Sequence, residues 1–131
     1  METTNFGMHI TLDGYGGDYD LLNDKDYVLS CLNDLPGQLG MRKLSQPEIY
    51  HADDNGKNDP GGWSGFVIIA ESHISMHTFP ARKFISADVY TCKNDLDLEV
   101  VKKYFIEKFK LVDVETNFIK RGTRYPLHNL V

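Results

Sequence analysis

Cysteine, tryptophan and long apolar runs are all scarce in this chain, and each shortage closes off a class of protein. Only Cys31, Cys92 and Trp63 represent the first two types among 131 residues. Two cysteines in dissimilar contexts make a poor disulfide framework and fall short of a zinc site, which points to reduced thiols. A bridge formed by the fold alone is the alternative left open. No apolar stretch approaches the length of a membrane span. Met1 is followed by Glu2, Thr3 and Thr4, with neither a basic opening nor a long apolar core, so no secretory signal is read and the cytoplasm is expected. Concentrated positive charge is missing too. The 14 Lys and Arg are dispersed among 19 Asp and Glu, for a net charge of -5. That balance disfavours nucleic acid and suits a cationic small molecule.

The apolar fraction of 41% and charged fraction of 25% are ordinary for a soluble globular domain. Residues 1–131 therefore read as one domain, without a linker, repeat or low-complexity tract. Such a chain has no room for a separate cofactor-binding fold, so any cofactor has to be small or built in.

Met8 to Leu12 alternates as a strand, and Gly14, Gly16 and Gly17 are expected to end it in a turn. That glycine run lacks the lysine and spacing of a phosphate loop. A helix follows, capped by Asn23 or Asp24, with Tyr27, Cys31, Leu32 and Leu35 at helical spacing until Pro36-Gly37 interrupts it, with a short final turn through Leu39 left open. Met41 to Ala52 is weakly strand-like and broken at Pro47, and Asp53 to Gly62 is a polar loop. Phe66 to Ala70, His73 to Phe79 and Phe84 to Thr91 are expected strands. Asp95 and Asp97 open a second helix with Leu98, Val101, Phe105 and Phe109 on one stripe, and Leu111 to Lys120 is a final strand. The economical packing is an α+β two-layer sandwich, a mainly antiparallel sheet with two helices on one face. Its other face needs cover, for which a second copy of the chain is expected.

Chemistry concentrates between Gly65 and Cys92. Phe66-Val67-Ile68-Ile69-Ala70 runs into Glu71-Ser72-His73-Ile74-Ser75-Met76-His77-Thr78-Phe79-Pro80, and Tyr90-Thr91-Cys92 follows. A period of two puts His73, Ser75 and His77 on one face and Ile74, Met76 and Thr78 on the other. Alone, Ser72 reads as a strand-end serine, His77 as a structural histidine and Cys92 as a small buried hydrophobe. Together these residues resemble the cleavage region of the short prokaryotic S-adenosylmethionine decarboxylase proenzymes, with matching spacing from Ser64 to Cys92.

The resemblance implies a self-processing, pyruvoyl-dependent decarboxylase of polyamine biosynthesis that makes its own cofactor. Ser72 Oγ attacks the Glu71 carbonyl carbon, the peptide bond becomes an ester, and elimination leaves a covalent pyruvoyl group at position 72. Two chains result, 1–71 and 72–131. By the same resemblance Ser64 and His77 assist processing, His77 by proton transfer. The pyruvoyl ketone takes the substrate amine as a Schiff base, and Cys92 is the acid that returns a proton to carbon. No metal enters this scheme, although His73 and His77 carry the four-residue separation of a helical zinc pair. The resemblance also implies a homodimer of processed protomers.

Two positions depart from the family pattern, and both fall on nucleoside recognition. Four residues past the matching histidine, where the family commonly carries a ribose-binding glutamate, stands Ala81, followed by Arg82 and Lys83. Where an adenine-stacking aromatic is usual there is Asn58-Asp59-Pro60-Gly61-Gly62, and only then Trp63. S-adenosylmethionine is the family default as substrate. L-arginine or L-ornithine is the alternative, since Asp53, Asp54 and Asp59 suit a cationic side chain. A third reading is a non-catalytic regulatory paralogue, against which stands the retention of Ser64, Ser72, His77 and Cys92 together.

Overall fold

A computed structural model describes residues 3–70, 72–93 and 95–131. The strands are β1 (Thr3–Thr4), β2 (Gly7–Tyr15), β3 (Glu48–Ala52), β4 (Gly62–Ile69), β5 (Ser72–Phe79), β6 (Phe84–Thr91), β7 (Asp113–Arg121) and β8 (Tyr125–Pro126). The helices are α1 (Tyr19–Leu22), α2 (Lys25–Gln38) and α3 (Leu98–Phe109), with a 3-10 turn at Pro80–Arg82. Each α-helix starts on an aspartate whose carboxylate accepts an otherwise orphaned backbone N–H. Asp18 takes that of Leu21 at 3.0 Å, Asp24 that of Tyr27 at 3.1 Å, and Asp97 that of Glu99 at 2.8 Å.

Six strands form one antiparallel sheet in the order β3-β4-β5-β6-β2-β7, and β1 pairs with β8 in a separate two-stranded ribbon. Strict alternation decides which face is inside. In β5, Ile74, Met76 and Thr78 are buried while His73, Ser75 and His77 are not; in β6, Ile85, Ala87, Val89 and Thr91 are buried between exposed or half-buried partners. The inward set joins Leu22, Val28, Leu32 and Leu35 of the first two helices and Val101, Phe105 and Phe109 of α3 in one core. Tyr104 of α3 ties the helices together: its hydroxyl donates to the Asp34 carboxylate at 3.2 Å and the Cys31 carbonyl at 3.3 Å. Neither Cys31 nor Cys92 is in a disulfide. No described helix is long and apolar enough to cross a membrane.

The two-layer α+β architecture is as expected, and the departures are local. The α2 helix runs two residues beyond Pro36 to a cap at Leu39, the short final turn that the sequence left open, and it gives up the one bond that a proline cannot donate. There Leu39, Gly40 and Met41 donate to the Leu35, Gly37 and Pro36 carbonyls at 3.1, 3.1 and 2.8 Å. Strand β2 continues through Gly14 instead of turning there. A Cβ on Gly14 would lie 2.5 Å from the Leu111 side chain and 2.8 Å from that of Ile85, so this glycine makes room for packing, and the turn falls to Gly16 at φ 68°. Strand β4 starts four residues before Phe66, recruited by pairing of Gly62 and Trp63 with Ala52 and His51. The short α1, β1 and β8 carry too few residues for a periodic pattern.

Candidate functional site

The sheet face away from the helices carries the outward residues of β2 to β7, and the strand registers arrange them in rows. One row runs Tyr50, Ser64, His77, Ser86, Asp13, Glu115. Ser64 and His77 are directly opposed in it, and their side chains are hydrogen-bonded, Ser64 Oγ to His77 Nδ1 at 2.8 Å. This hydroxyl–imidazole contact is the geometry in which a histidine exchanges a proton with an alcohol. It lies on the exposed side of the sheet.

Ser72 and Cys92 lie at the other end. Ser72 is the first residue of β5 and pairs with Ile69, so the β4–β5 connection holds only Ala70 and Glu71. Glu71, the expected source of the cleaved carbonyl, lies outside the described residues. Cys92 immediately follows Thr91, the last residue of β6. Residue 7 is a glycine because β2 crosses closely at that point. A Cβ there would come 2.3 Å from the Thr91 carbonyl oxygen and 3.0 Å from the Cys92 Cα. The register opposes His73 to Tyr90, so Ser72 and Cys92 lie at adjacent strand ends, and both are half-buried.

The expected site residues therefore form two groups rather than one. Five residue steps along the strand separate Ser72 from His77, a span of about 16 Å at ~3.3 Å per residue. His73 and His77 are about 13 Å apart by the same measure, too far to share one ion. Trp63 faces away from the Ser64 side, and its indole N–H donates to the Asn23 carbonyl at 3.0 Å, holding β4 to the end of α1. Ala81 is the middle residue of the 3-10 turn, which Lys83 closes at φ 54°.

Between the two ends lies a polar cluster that periodicity alone does not reveal. His9 bonds the Asp88 carboxylate at 2.8 Å through Nε2, and Arg121 Nη1 approaches His9 Nδ1 at 3.2 Å. A guanidinium can only donate, so Nδ1 accepts and the His9 proton sits on Nε2, facing Asp88. Ser75 donates to the other Asp88 oxygen at 3.4 Å, and Arg121 lies 4.8 Å over the Tyr90 ring. Outward positions of two predicted strands already held His9 and Asp88, but only the register joins them. Nearby, at the end beyond His77, Tyr15 donates to Glu115, which pushes its hydroxyl up to about 12, with burial and then the carboxylates of Glu115, Asp13 and Asp113 adding to the effect.

The chain is similar to known proteins over most of its length. A model of the S-adenosylmethionine decarboxylase family matches residues 8–122. S-adenosylmethionine decarboxylase proenzyme of Clostridium botulinum is 32% identical over 116 residues, covering 88% of this chain and 94% of that protein. The proenzyme of Clostridium kluyveri is 34% identical over 118 residues, covering 88% and 86%. That of the archaeon Thermococcus gammatolerans is 31% identical over 121 residues, covering 92% and 80%. The crystal structure of adenosylmethionine decarboxylase from Aquifex aeolicus superposes with a TM-score of 0.79 at 27% identity, over 96% of this chain and 98% of that one. The chain belongs to the S-adenosylmethionine decarboxylase family.

Proposed function

We propose, from that membership, that the protein is a self-processing decarboxylase whose pyruvoyl group is made from Ser72 and whose substrate is S-adenosylmethionine. The observation that carries this reading is the position of Ser72, first in a strand and just past a two-residue connection. A backbone cut at a hairpin tip breaks no ladder. Strand β5 stays paired to β4 on one side and β6 on the other, so chains 1–71 and 72–131 remain interleaved in one sheet.

In processing, Ser72 Oγ attacks the Glu71 carbonyl carbon and the peptide nitrogen becomes a free amine, leaving Glu71 as an ester on Oγ. Loss of the Ser72 α-proton expels the Glu71 carboxylate, and water then displaces ammonia to leave the keto acid. A pyruvoyl carbonyl supplies an acceptor for the electrons released when carbon dioxide departs. Support for giving Ser72 and Cys92 these roles is that they lie at adjacent strand ends. Cys92 then delivers a proton to the substrate carbon.

The Ser64–His77 pair is about 16 Å from Ser72 within one chain, beyond direct proton transfer, which requires hydrogen-bond reach. A second copy resolves this. Two sheets stacked by their outer faces in a two-fold dimer bring the His77 end of each against the Ser72 end of the other. Tyr50, Ile68 and Ile119 are 59%, 40% and 44% exposed on that face, which is apolar area that such a dimer buries.

Ala81 is the observation that favours a second substrate reading, L-arginine or L-ornithine, since a site without its ribose-binding carboxylate loses discrimination for a nucleoside. Two measurements test the proposal. Denaturing gels and intact mass are expected to show two chains for the native protein and one for Ser72→Ala; an uncleaved yet active native protein sinks it. Carbon dioxide release from S-adenosylmethionine, L-arginine and L-ornithine, compared side by side, decides the substrate.

A further inference from the structure

Strand β4 has two edges, and they are covered along different lengths. On one side β5 pairs with it from Ser64 to Ile69. On the other, β3 stops at the Glu48–Phe66 pair, three residues short of the end of β4. The backbone groups of Ile68 and Ala70 on that side would be left without protein partners. Residues 40–45, between α2 and β3, meet them instead. Leu44 and Ser45 donate their N–H groups to the Ile68 carbonyl at 2.8 and 3.2 Å, and the Ile68 N–H donates to Ser45 Oγ at 3.0 Å. The Ala70 N–H donates to the Arg42 carbonyl at 2.7 Å, and Lys43 bridges Ile69 in antiparallel register.

This segment is itself tethered. The Met41 N–H donates to the Pro36 carbonyl at 2.8 Å, and the Lys93 ammonium donates to the Gly40 carbonyl at 3.2 Å. Lys93 follows Cys92, so one strap touches both the strand that leads into Glu71-Ser72 and the chain just beyond the thiol. Of its two apolar side chains, Met41 packs against the core and Leu44 is 57% exposed, so backbone bonds rather than burial fix residues 42–45.

Position matters here because ester formation at Ser72 is a ring closure. The bond from Oγ to the Glu71 carbonyl carbon forms, the bond from that carbon to the Ser72 nitrogen breaks, and the hydroxyl proton ends on the freed amine. The rate of such an attack depends on how well the reacting groups are held, and a displacement of about 1 Å costs on the order of a hundredfold. Pairing with β4 and β6 fixes strand β5 on the Ser72 side. On the other side Ala70 is the residue before Glu71, and its N–H is bonded to the strap.

We propose that residues 40–45 are a positioning strap for self-cleavage, holding the backbone that enters the Glu71-Ser72 bond so that Ser72 Oγ closes on the Glu71 carbonyl, with Ser45 and Lys93 as the positioning side chains. The inference rests on the self-processing reading and adds to it residues that take no part in binding substrate.

Freshly translated full chain, sampled over time on a denaturing gel with and without hydroxylamine, tests it. Hydroxylamine displaces Ser72 Oγ from the ester and leaves a hydroxamate on Glu71, so the hydroxamate measured by mass counts the chains in ester form. Ser45→Ala is expected to slow cleavage about fivefold and Leu44→Pro, which removes a donor to Ile68, about thirtyfold, with the hydroxamate fraction falling in step. Lys93→Met is expected to slow it about threefold. Ser45→Thr keeps the hydroxyl and is expected to recover the native rate. Carbon dioxide release per matured chain is expected to change less than about twofold in the Ser45 and Leu44 variants. The two Ser45 variants, on an exposed segment, decide the matter should Leu44→Pro fail to fold. A native chain cut no faster than Ser45→Ala overturns the strap and leaves self-processing intact. Slow variants with the native share of hydroxamate also overturn it, because the loss then lies after ester formation. A native chain that is never cut overturns the self-processing reading itself, and the strap with it.

Discussion

The two ends of the outer sheet face differ in what they hold. Around His77 there is an exposed histidine–serine pair, a wall of aromatic rings and a hollow open to solvent. Around Ser72 there is a strand end, a tight connection and a close crossing at Gly7, with the reactive positions half-buried. On the proposed reading, one end admits and holds a ligand and the other rearranges its own backbone. Neither is complete, and the β5 strand that joins them is too long and too well paired to bend them together. On the proposed reading, a chain whose chemistry is split this way gains a whole site from a second copy related to it by a two-fold axis.

The strongest way to break that comparison is complementation. His77→Ala alone is expected to slow cleavage about a hundredfold, and Ser72→Ala to abolish it. Co-expression of the two is expected to restore normal cleavage of the Ser72-bearing chains, read on a denaturing gel with a tag on one partner. Failure of the mixture to process any better than His77→Ala alone would show that both groups act within one chain.

Cys92 probes the other end. Cys92→Ala is expected to mature into two chains yet lose turnover by about a hundredfold, the usual worth of a positioned proton donor. Full activity places the donor elsewhere, whereas failure to mature gives the thiol a part in processing.

Legibility followed the same division. The strands at the Ser72 end could be read directly, because they are contiguous and alternate with period two; β6 was bounded correctly at both ends. The His77 end could not. Phe79, Phe84, Tyr15 and Asp59 come from separate segments, and no local pattern says that Tyr15 lies beside Phe84. Gly14 was misread as a turn for a related reason: a glycine needed to admit Leu111 and Ile85 looks, in sequence, like one needed for a bend.

The smallest expected effect lies in the helical layer, as a control on the whole comparison. Burial pushes the Cys31 thiol above its ordinary 9.0, and burial with Asp34 and Cys31 nearby also raises Tyr104. A raised folded value means the unfolded chain loses its proton first, so the stability is present below pH 9 and falls as pH rises above it. Thermal melts from pH 7 to 10 should show that decline, with a shallower slope in Cys31→Ala despite its lower starting stability. An identical slope in the variant would assign the loss to other groups.

Composition and alternation were enough to determine a two-layer α+β chain, and one contiguous motif was enough to show the resemblance to the S-adenosylmethionine decarboxylase family, since each of these is written in neighbours along the backbone. Which of those residues share a place was decided only by strand order and register. Pairing β5 between β4 and β6 joined Ser64 to His77 and held both at a strand's length from Ser72. Backbone hydrogen bonds between strands carry no mark in the side-chain pattern beyond inward or outward, and so the rows they build become visible only in the folded sheet.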